Sequence, residues 1–251
     1  MLSEKEKKAI LKKSKVWFEE NVIANHVRNI RKRATGSKIT INPYITAYLG
    51  TNDSGRVTYT SVARSILLPI ALGASITTTF GTSLQKFLAA ELPNAKESVV
   101  NGMDIEFDDA LTNRHVYCQV KAGPRTINAG DVPVILNHFR NLRNLAKTNG
   151  LDLNPLTDFC VGILYGDRKE LCQHYQKLAQ DINVYSGPEF FLHLTGNPDF
   201  YQELISEFSR ARLDGKTLHR IIEETITELS KTDLIRNFVN SLKKSPKQES
   251  S

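Results

Sequence analysis

Apolar and polar residues alternate with a period of two in two neighbouring stretches of the chain. Met103, Ile105 and Phe107 alternate with Asp104 and Glu106. Beyond the polar "DDALTN" loop, Val116, Cys118 and Val120 alternate with Tyr117, Gln119 and Lys121. Period two marks a half-buried strand, so strands are predicted over 103–107 and 115–121. Paired as a hairpin, with Asp104 opposite Gln119, Glu106 opposite Tyr117 and Asp108 opposite His115, they put the apolar residues on one face. Asp104, Glu106, Gln119 and Lys121 then share the other face as one outward polar patch. A slip of one residue would reverse both sets, so two independent alternations fix the register. Gly123-Pro124 must end the second strand, which leaves an amide and a lysine at its terminus.

The remaining elements follow from longer periods and from punctuation. Ser3 and Glu6 fit a capping box, and Ile10, Val16, Trp17, Val22, Val27 and Ile30 carry a helix to about Arg33, with Gly36 as its stop. "INPYITAYLGTNDSG" reads as a loop with extended pieces, Pro43 excluding a helix. Helices are predicted over 62–72, broken at Pro69, and over 82–91, with "LPNAKES" as a turn. A helix over 131–147 ends before Asn149-Gly150. "FCVGILYG" (159–166) is apolar on both faces and predicts a central, covered strand. A helix over 169–180 precedes a short strand over 182–185. From Pro188 about three helices complete the fold, and the tail "SLKKSPKQESS" is expected to be disordered. The order helix, strand, strand, helix, strand predicts an α/β fold: a mixed central sheet flanked by helices, with further helices at both ends.

Composition narrows the class without naming a function. The chain has 251 residues, 40% hydrophobic and 24% charged, enough for one domain with helical additions. No apolar run reaches the roughly 18 residues of a membrane span. The charged start lacks the apolar core of a secretory signal, and Cys118, Cys160 and Cys172 form no CxxC, so reduced thiols in the cytoplasm are expected. The net charge of +6 favours an anionic partner, and its distribution sharpens the point. "RNIRKRATGSK", ending at Lys38, is a dense basic cluster, and Arg140, Arg143 and Lys147 share one helix face. Both would suit phosphate contacts or simply solvated faces. Six scattered histidines, with no HxH and no i,i+4 pair, argue against a zinc site. No glycine-rich phosphate loop is present, so no nucleotide cofactor is expected.

The polar face carries the chemistry. A carboxylate on one strand and a Gln-x-Lys on its partner can be an exposed cross-strand ion pair, or a phosphodiester-cleaving arrangement. Cleavage needs oxygen ligands for Mg²⁺, a hard cation, and a neighbouring cation to orient or deprotonate the attacking water. On that reading Asp104, Gln119 and the Val120 carbonyl hold the metal and Lys121 positions the water.

These residues resemble a family. "GMDIEF…YCQVKAG" (102–123) is similar to the PD-(D/E)XK nuclease superfamily, with Gln119 where the usual motif has an acid. "INPYIT" (41–46), "QVKAGPRTIN" (119–128), "FCVGILYGD" (159–167) and "VYSGPEFF" (184–191) resemble a small branch of type II restriction endonucleases that cut RGGNCCY or GGNCC sites. The resemblance spans roughly residues 41–194. It implies a restriction-endonuclease-like core over 41–195, a helical arm over 1–40, C-terminal helices over 196–240 and a tail over 241–251. It also implies Mg²⁺-dependent double-strand cutting within a restriction-modification system, 5′-phosphate ends, double-stranded DNA as substrate and a homodimer. Catalytic Asp104, Gln119 and Lys121 would be joined at the metal by Val120 and by an acid from the preceding helix, Glu91 first and Glu97 second. Arg125, Asn128, Arg140, Arg143 and Lys38 are the expected DNA contacts, with Asn128 and Asp131 alternatively serving the next helix's N-terminus. Two other readings stay open: a structure-specific repair or junction nuclease on the same core, and a DNA-binding protein whose metal site has decayed.

Overall fold

The stretches on either side of the "DDALTN" loop do pair, at the centre of a five-stranded mixed sheet. The computed structural model describes residues 2–34 and 39–243. In chain order the strands are β1 (Ala95–Glu97), β2 (Ile105–Asp108), β3 (His115–Lys121), β4 (Phe159–Ile163) and β5 (Asn183–Ser186), and they lie in that order in the sheet. β1, β2 and β3 run antiparallel, whereas β3, β4 and β5 run parallel. Parallel neighbours need crossovers. They are supplied by a long helix and a short one between β3 and β4, and by a short helix between β4 and β5.

The helices are α1 (Glu4–Trp17), α2 (Ala24–Ala34), α3 (Pro43–Ser54), α4 (Tyr59–Ala71), α5 (Ala74–Glu91), α6 (Asp131–Thr148), α7 (Pro155–Asp158), α8 (Gln173–Leu178), α9 (Pro188–Thr195), α10 (Phe200–Ser209), α11 (Leu218–Ser230) and α12 (Asp233–Lys243). They divide between two units. The sheet unit takes the described residues of Met1–Phe18 and Phe80–Ala211, and the helical unit those of Glu19–Thr79 and Arg212–Ser251.

In the sheet unit both faces are covered. Ile105, Phe107, Val116, Cys118, Val120 and Cys160 meet Leu84, Phe87 and Leu88 of α5, with α9 and α10 completing that core. Phe159, Val161, Ile163 and Val184 meet Ile135, Phe139 and Leu142 of α6 and Tyr175 and Leu178 of α8 on the other face. β4 is buried along its whole length, as its unbroken apolar run predicts. All three cysteines are free thiols. In the helical unit, Ile30, Val62, Leu67, Ile222, Ile226 and Leu229 form a separate core. Arg64 grips Glu223 with both terminal nitrogens at 2.6 and 2.8 Å there.

Several expectations need correction. Pro43 does not exclude a helix but starts one: it is the first residue of α3, where its fixed φ suits the first turn, and Asn42 Oδ1 accepts from the amides of Tyr44 and Ile45. The "LPNAKES" turn contains the edge strand β1, paired through Lys96 opposite Glu106. The first helix widens into a π-helical turn at Phe18–Ile23 before α2, and Gly36, its expected stop, lies outside the described residues, as does the tail beyond Lys243. Pro69 is accommodated inside α4 rather than breaking it.

The polar face of the hairpin is not outward. Glu106 and Gln119 are each only 4% exposed: Ser98, Lys96 and His115 close on the Glu106 carboxylate, and His138 of α6 lies against Gln119. The register agrees from Ile105 opposite Cys118 to Asp108 opposite His115, but stops short of Asp104. The Asp104 amide donates to the Cys118 carbonyl at 2.9 Å, so Asp104 and Ile105 both meet Cys118, as in a β-bulge. The extra residue reverses the alternation upstream. Met103 joins the α6-side core, and Asp104 turns towards α5.

Candidate active site

Where β2 ends, β3 runs on for three residues, Gln119 to Lys121, with no strand beside it on that edge. The Val120 N–H there needs an acceptor, and the Asp104 carboxylate supplies it, with Oδ2 at 2.7 Å. Its other oxygen, Oδ1, accepts from Gln85 Nε2 of α5 at 3.2 Å. Gln85 and Gly81 lie one turn apart on one face of α5. Gly81 lets that face approach: a Cβ at Gly81 would lie 3.0 Å from the Ala122 Cβ. Within a strand the N–H and C=O of one residue project to the same side, so the Val120 carbonyl shares its edge with Asp104.

On the α6 face, Gln119 Nε2 meets Nδ1 of His138 at 2.7 Å and also the Gly102 carbonyl. Its Oε1 is buried, with no donor among the described residues. Lys121 is half-buried at the end of β3, in register with Ile163 and Ser186, and its backbone carbonyl accepts from Leu164 at 2.9 Å. The loop after it is pinned from below. The Tyr175 hydroxyl donates to the Gly123 carbonyl at 3.1 Å, and burial pushes the Tyr175 pKa up to about 12, so it stays a donor. A side chain at Gly123 would strike the Tyr165 ring.

Glu106, on the same sheet face, is not a free ligand. Burial raises its pKa, but hydrogen bonds from Ser98, Lys96 and His115 outweigh that and hold it below the usual range. Asp104 therefore stands without a second carboxylate: among the described residues no group of three His, Cys, Asp or Glu side chains could share an ion. The oxygens that remain are the Asp104 carboxylate, the Val120 carbonyl and Gln119 Oε1. All are hard oxygen donors of the kind a divalent cation takes, the Asp104 carboxylate at the open edge of β3 and Gln119 Oε1 on the α6 face.

The other expected residues are scattered. Glu91 is six residues beyond Gln85, about 9 Å along α5, and binds Lys13 Nζ at 2.6 Å. Glu97 is exposed on β1 opposite Ile105. Arg125 and Asn128 lie in the loop just past Lys121, both exposed. Asn128 Oδ1 accepts from Gly130, and its amide donates to Asp131 Oδ2, so these two residues order the start of α6. Arg140 and Arg143 line a cavity of about 210 Å³ with Phe139, Phe159, Pro155 and Asp181. Phe159 opens β4 opposite Tyr117, about 13 Å along the strand from Lys121, so these arginines are at the other end of the sheet. Lys38 lies outside the described residues.

Sequence reasoning missed Gln85, Gly102 and His138. The one signal for His138 was its place in the α6 stripe of Ile135, Phe139 and Leu142, a polar residue at an apolar position. No pattern in the sequence marks Gln85.

A carboxylate, a buried amide and a lysine at the end of a covered mixed sheet make a candidate hydrolytic centre. A family model described as type II restriction endonuclease EcoO109I matches residues 58–214. The match covers more than half of the chain, and the chain belongs to this family of DNA-hydrolysing enzymes. No curated protein matches it. No helix among the described residues is long and apolar enough to cross a membrane.

Proposed function

We propose that the protein is a PD-(D/E)XK-type restriction endonuclease that makes Mg²⁺-dependent double-strand cuts in DNA at the C-terminal end of β3. The observation that carries this is the Asp104 carboxylate docked on the Val120 N–H, one residue before Lys121, in a chain of restriction-enzyme ancestry. Asp104, the Val120 carbonyl and Gln119 Oε1 would hold the cation. When bound, the cation supplies Lewis-acid activation of water and neutralises charge building on the phosphate.

The chain's own residues do the rest. The Asp104 carboxylate is held by two donors, so it is pre-oriented rather than searching rotamers. Among the described residues no carboxylate pairs with Lys121, which leaves its ammonium available to orient the attacking water and to stabilise charge on the phosphate oxygens. Attack in line with the leaving oxygen yields a 5′-phosphate and a 3′-hydroxyl. Arg125 and Asn128, on the loop beside Lys121, meet the DNA. Arg140 and Arg143 can serve only a stretch of duplex that continues along α6. A palindromic site such as RGGNCCY presents two equivalent scissile bonds, so the working enzyme is a two-fold homodimer. It acts as the cutting half of a restriction-modification system, from a core within residues 41–195.

The test is digestion of phage-sized DNA by wild type, Asp104→Ala and Lys121→Ala, with Mg²⁺ or with EDTA. Discrete Mg²⁺-dependent fragments from wild type and a loss of at least about 100-fold in both variants are expected. Cutting by Lys121→Ala at the wild-type rate refutes the site. Smears or branch-specific nicks would indicate a repair nuclease, and an intact substrate that still shifts in a gel a binding protein.

A further inference from the structure

We infer that His138 is a positioning residue for the cation site: it holds the Gln119 amide so that Oε1 is the end left free. The inference rests on the assignment of Gln119 as a metal ligand made above.

The hydrogen-bond chemistry fixes the orientation. The Gly102 carbonyl can only accept, so the amide nitrogen of Gln119 must face it. The second amide hydrogen then points to Nδ1 of His138, 2.7 Å away, and Nδ1 must accept. The ring therefore carries its hydrogen on Nε2. Both amide hydrogens are used, and Oε1, buried and without a donor among the described residues, is the only unmet group of the side chain. Leaving a buried carbonyl oxygen unpaired costs about 1–3 kcal/mol. A side chain with its donors satisfied and its acceptor empty is set for a lone-pair-accepting ligand, and hard divalent cations take amide oxygens.

The neighbours make this arrangement rigid. His138 sits on the α6 stripe between buried Ile135, Phe139 and Leu142. Its ring lies directly over Gly102, where a Cβ would come within 2.5 Å of Cγ and 2.7 Å of Nδ1. The device also explains how Gln119 can stand in the position where the related motif has an acid. A carboxylate offers two equivalent oxygens and tolerates a flip; an amide offers one, and a flip presents its NH₂ to the cation. An acceptor that holds the nitrogen removes the flipped state.

The test uses the full-length protein. Mn²⁺ binding is measured by titration calorimetry in wild type, His138→Ala, His138→Asn and Asp104→Ala, with thermal unfolding to verify folding. His138→Ala should weaken Mn²⁺ binding about 10- to 100-fold. His138→Asn, whose Oδ1 can accept from the amide, should recover most of that loss. Wild-type Mn²⁺ affinity in His138→Ala overturns the inference and leaves the Asp104–Lys121 reading standing. Wild-type affinity in Asp104→Ala removes that reading and the inference with it. Should His138→Ala fail to fold, ¹⁵N shifts of the wild-type ring decide: the Nε2–H tautomer is expected, and the Nδ1–H tautomer overturns the proposal.

Discussion

Gly102→Ala tests the join between the strand bulge and the helix roof. Gly102 has φ +84°, in the left-handed region that an L side chain enters at a cost of about 1–2 kcal/mol. The new methyl would also lie 2.5, 2.7 and 2.9 Å from Cγ, Nδ1 and Cβ of His138. Carbon contacts relax near 3.5–4.0 Å, so the ring must move by roughly 1 Å. Rotation about χ1 cannot provide all of this, because Cβ itself is crowded and is fixed to the α6 backbone. Displacing the ring sacrifices the bond to Gln119 and its net contribution of about 0.5–1.5 kcal/mol. The two costs together predict a loss of about 1.5–3.5 kcal/mol. Urea unfolding measures it as a lower midpoint at unchanged slope. Cutting should in parallel require more Mg²⁺. A loss below about 0.5 kcal/mol, the range of an inconsequential surface change, would show that neither the backbone nor the His138 contact is as described.

Three further outcomes are expected. Gln119→Glu, which restores the usual acid, should not improve the enzyme: one of its oxygens would face the Gly102 carbonyl, acceptor against acceptor, at a cost of about 1–3 kcal/mol. Cleavage at lower Mg²⁺ with undiminished melting temperature would contradict that. Gly162→Ala should lose about 1–3 kcal/mol in urea unfolding, because a methyl there overlaps the fully buried Phe190 ring, and an unchanged midpoint would count against the packing. Asp109 is buried, which raises its pKa, but bonds from His193 and from the Leu111 and Thr112 amides outweigh burial and hold it below the usual range. A depressed folded pKa gives stability that is present above the unfolded value near 3.9 and fades as pH falls through the folded one. Asp109→Asn should therefore be less stable than wild type at pH 7, with the gap closing below about pH 4; a gap independent of pH would refute this role.

What the sequence disclosed, and what it hid, divides by the range of the interactions involved. β3 and its register against β2 were legible because alternation in two strands constrains both at once, and β4 because only a strand covered on both sides tolerates "FCVGI". α3 is hidden because a proline reads locally as a helix breaker, whereas Pro43, preceded by the capping Asn42, opens a helix. The coverage of Glu106 and Gln119 was hidden because polar residues on an alternating strand read as solvent-facing, and nothing local reveals that Ser98, Lys96 and His115 close on the one and α6 returns over the other. The bulge was hidden for a similar reason: "GMDIEF" alternates without interruption, and only the hydrogen bond from Asp104 to Cys118 shows that the backbone does not.

That bulge has consequences for the site. Had the alternation continued, Asp104 would lie under α6 beside Gln119, and the Val120 N–H beyond the end of β2 would need another acceptor. With the extra residue, Asp104 satisfies that N–H and takes its second partner from Gln85 of α5, while Gln119 takes His138 of α6. Each polar group at the end of β3 is thus oriented by a different helix. Moving either helix would shift one ligand and leave the other in place. Asp104 and Gln119 should accordingly respond separately to substitution at Gln85 and at His138, and a double substitution should cost about the sum of the two in cation affinity. A double variant no worse than either single one would show that the two ligands move as a unit.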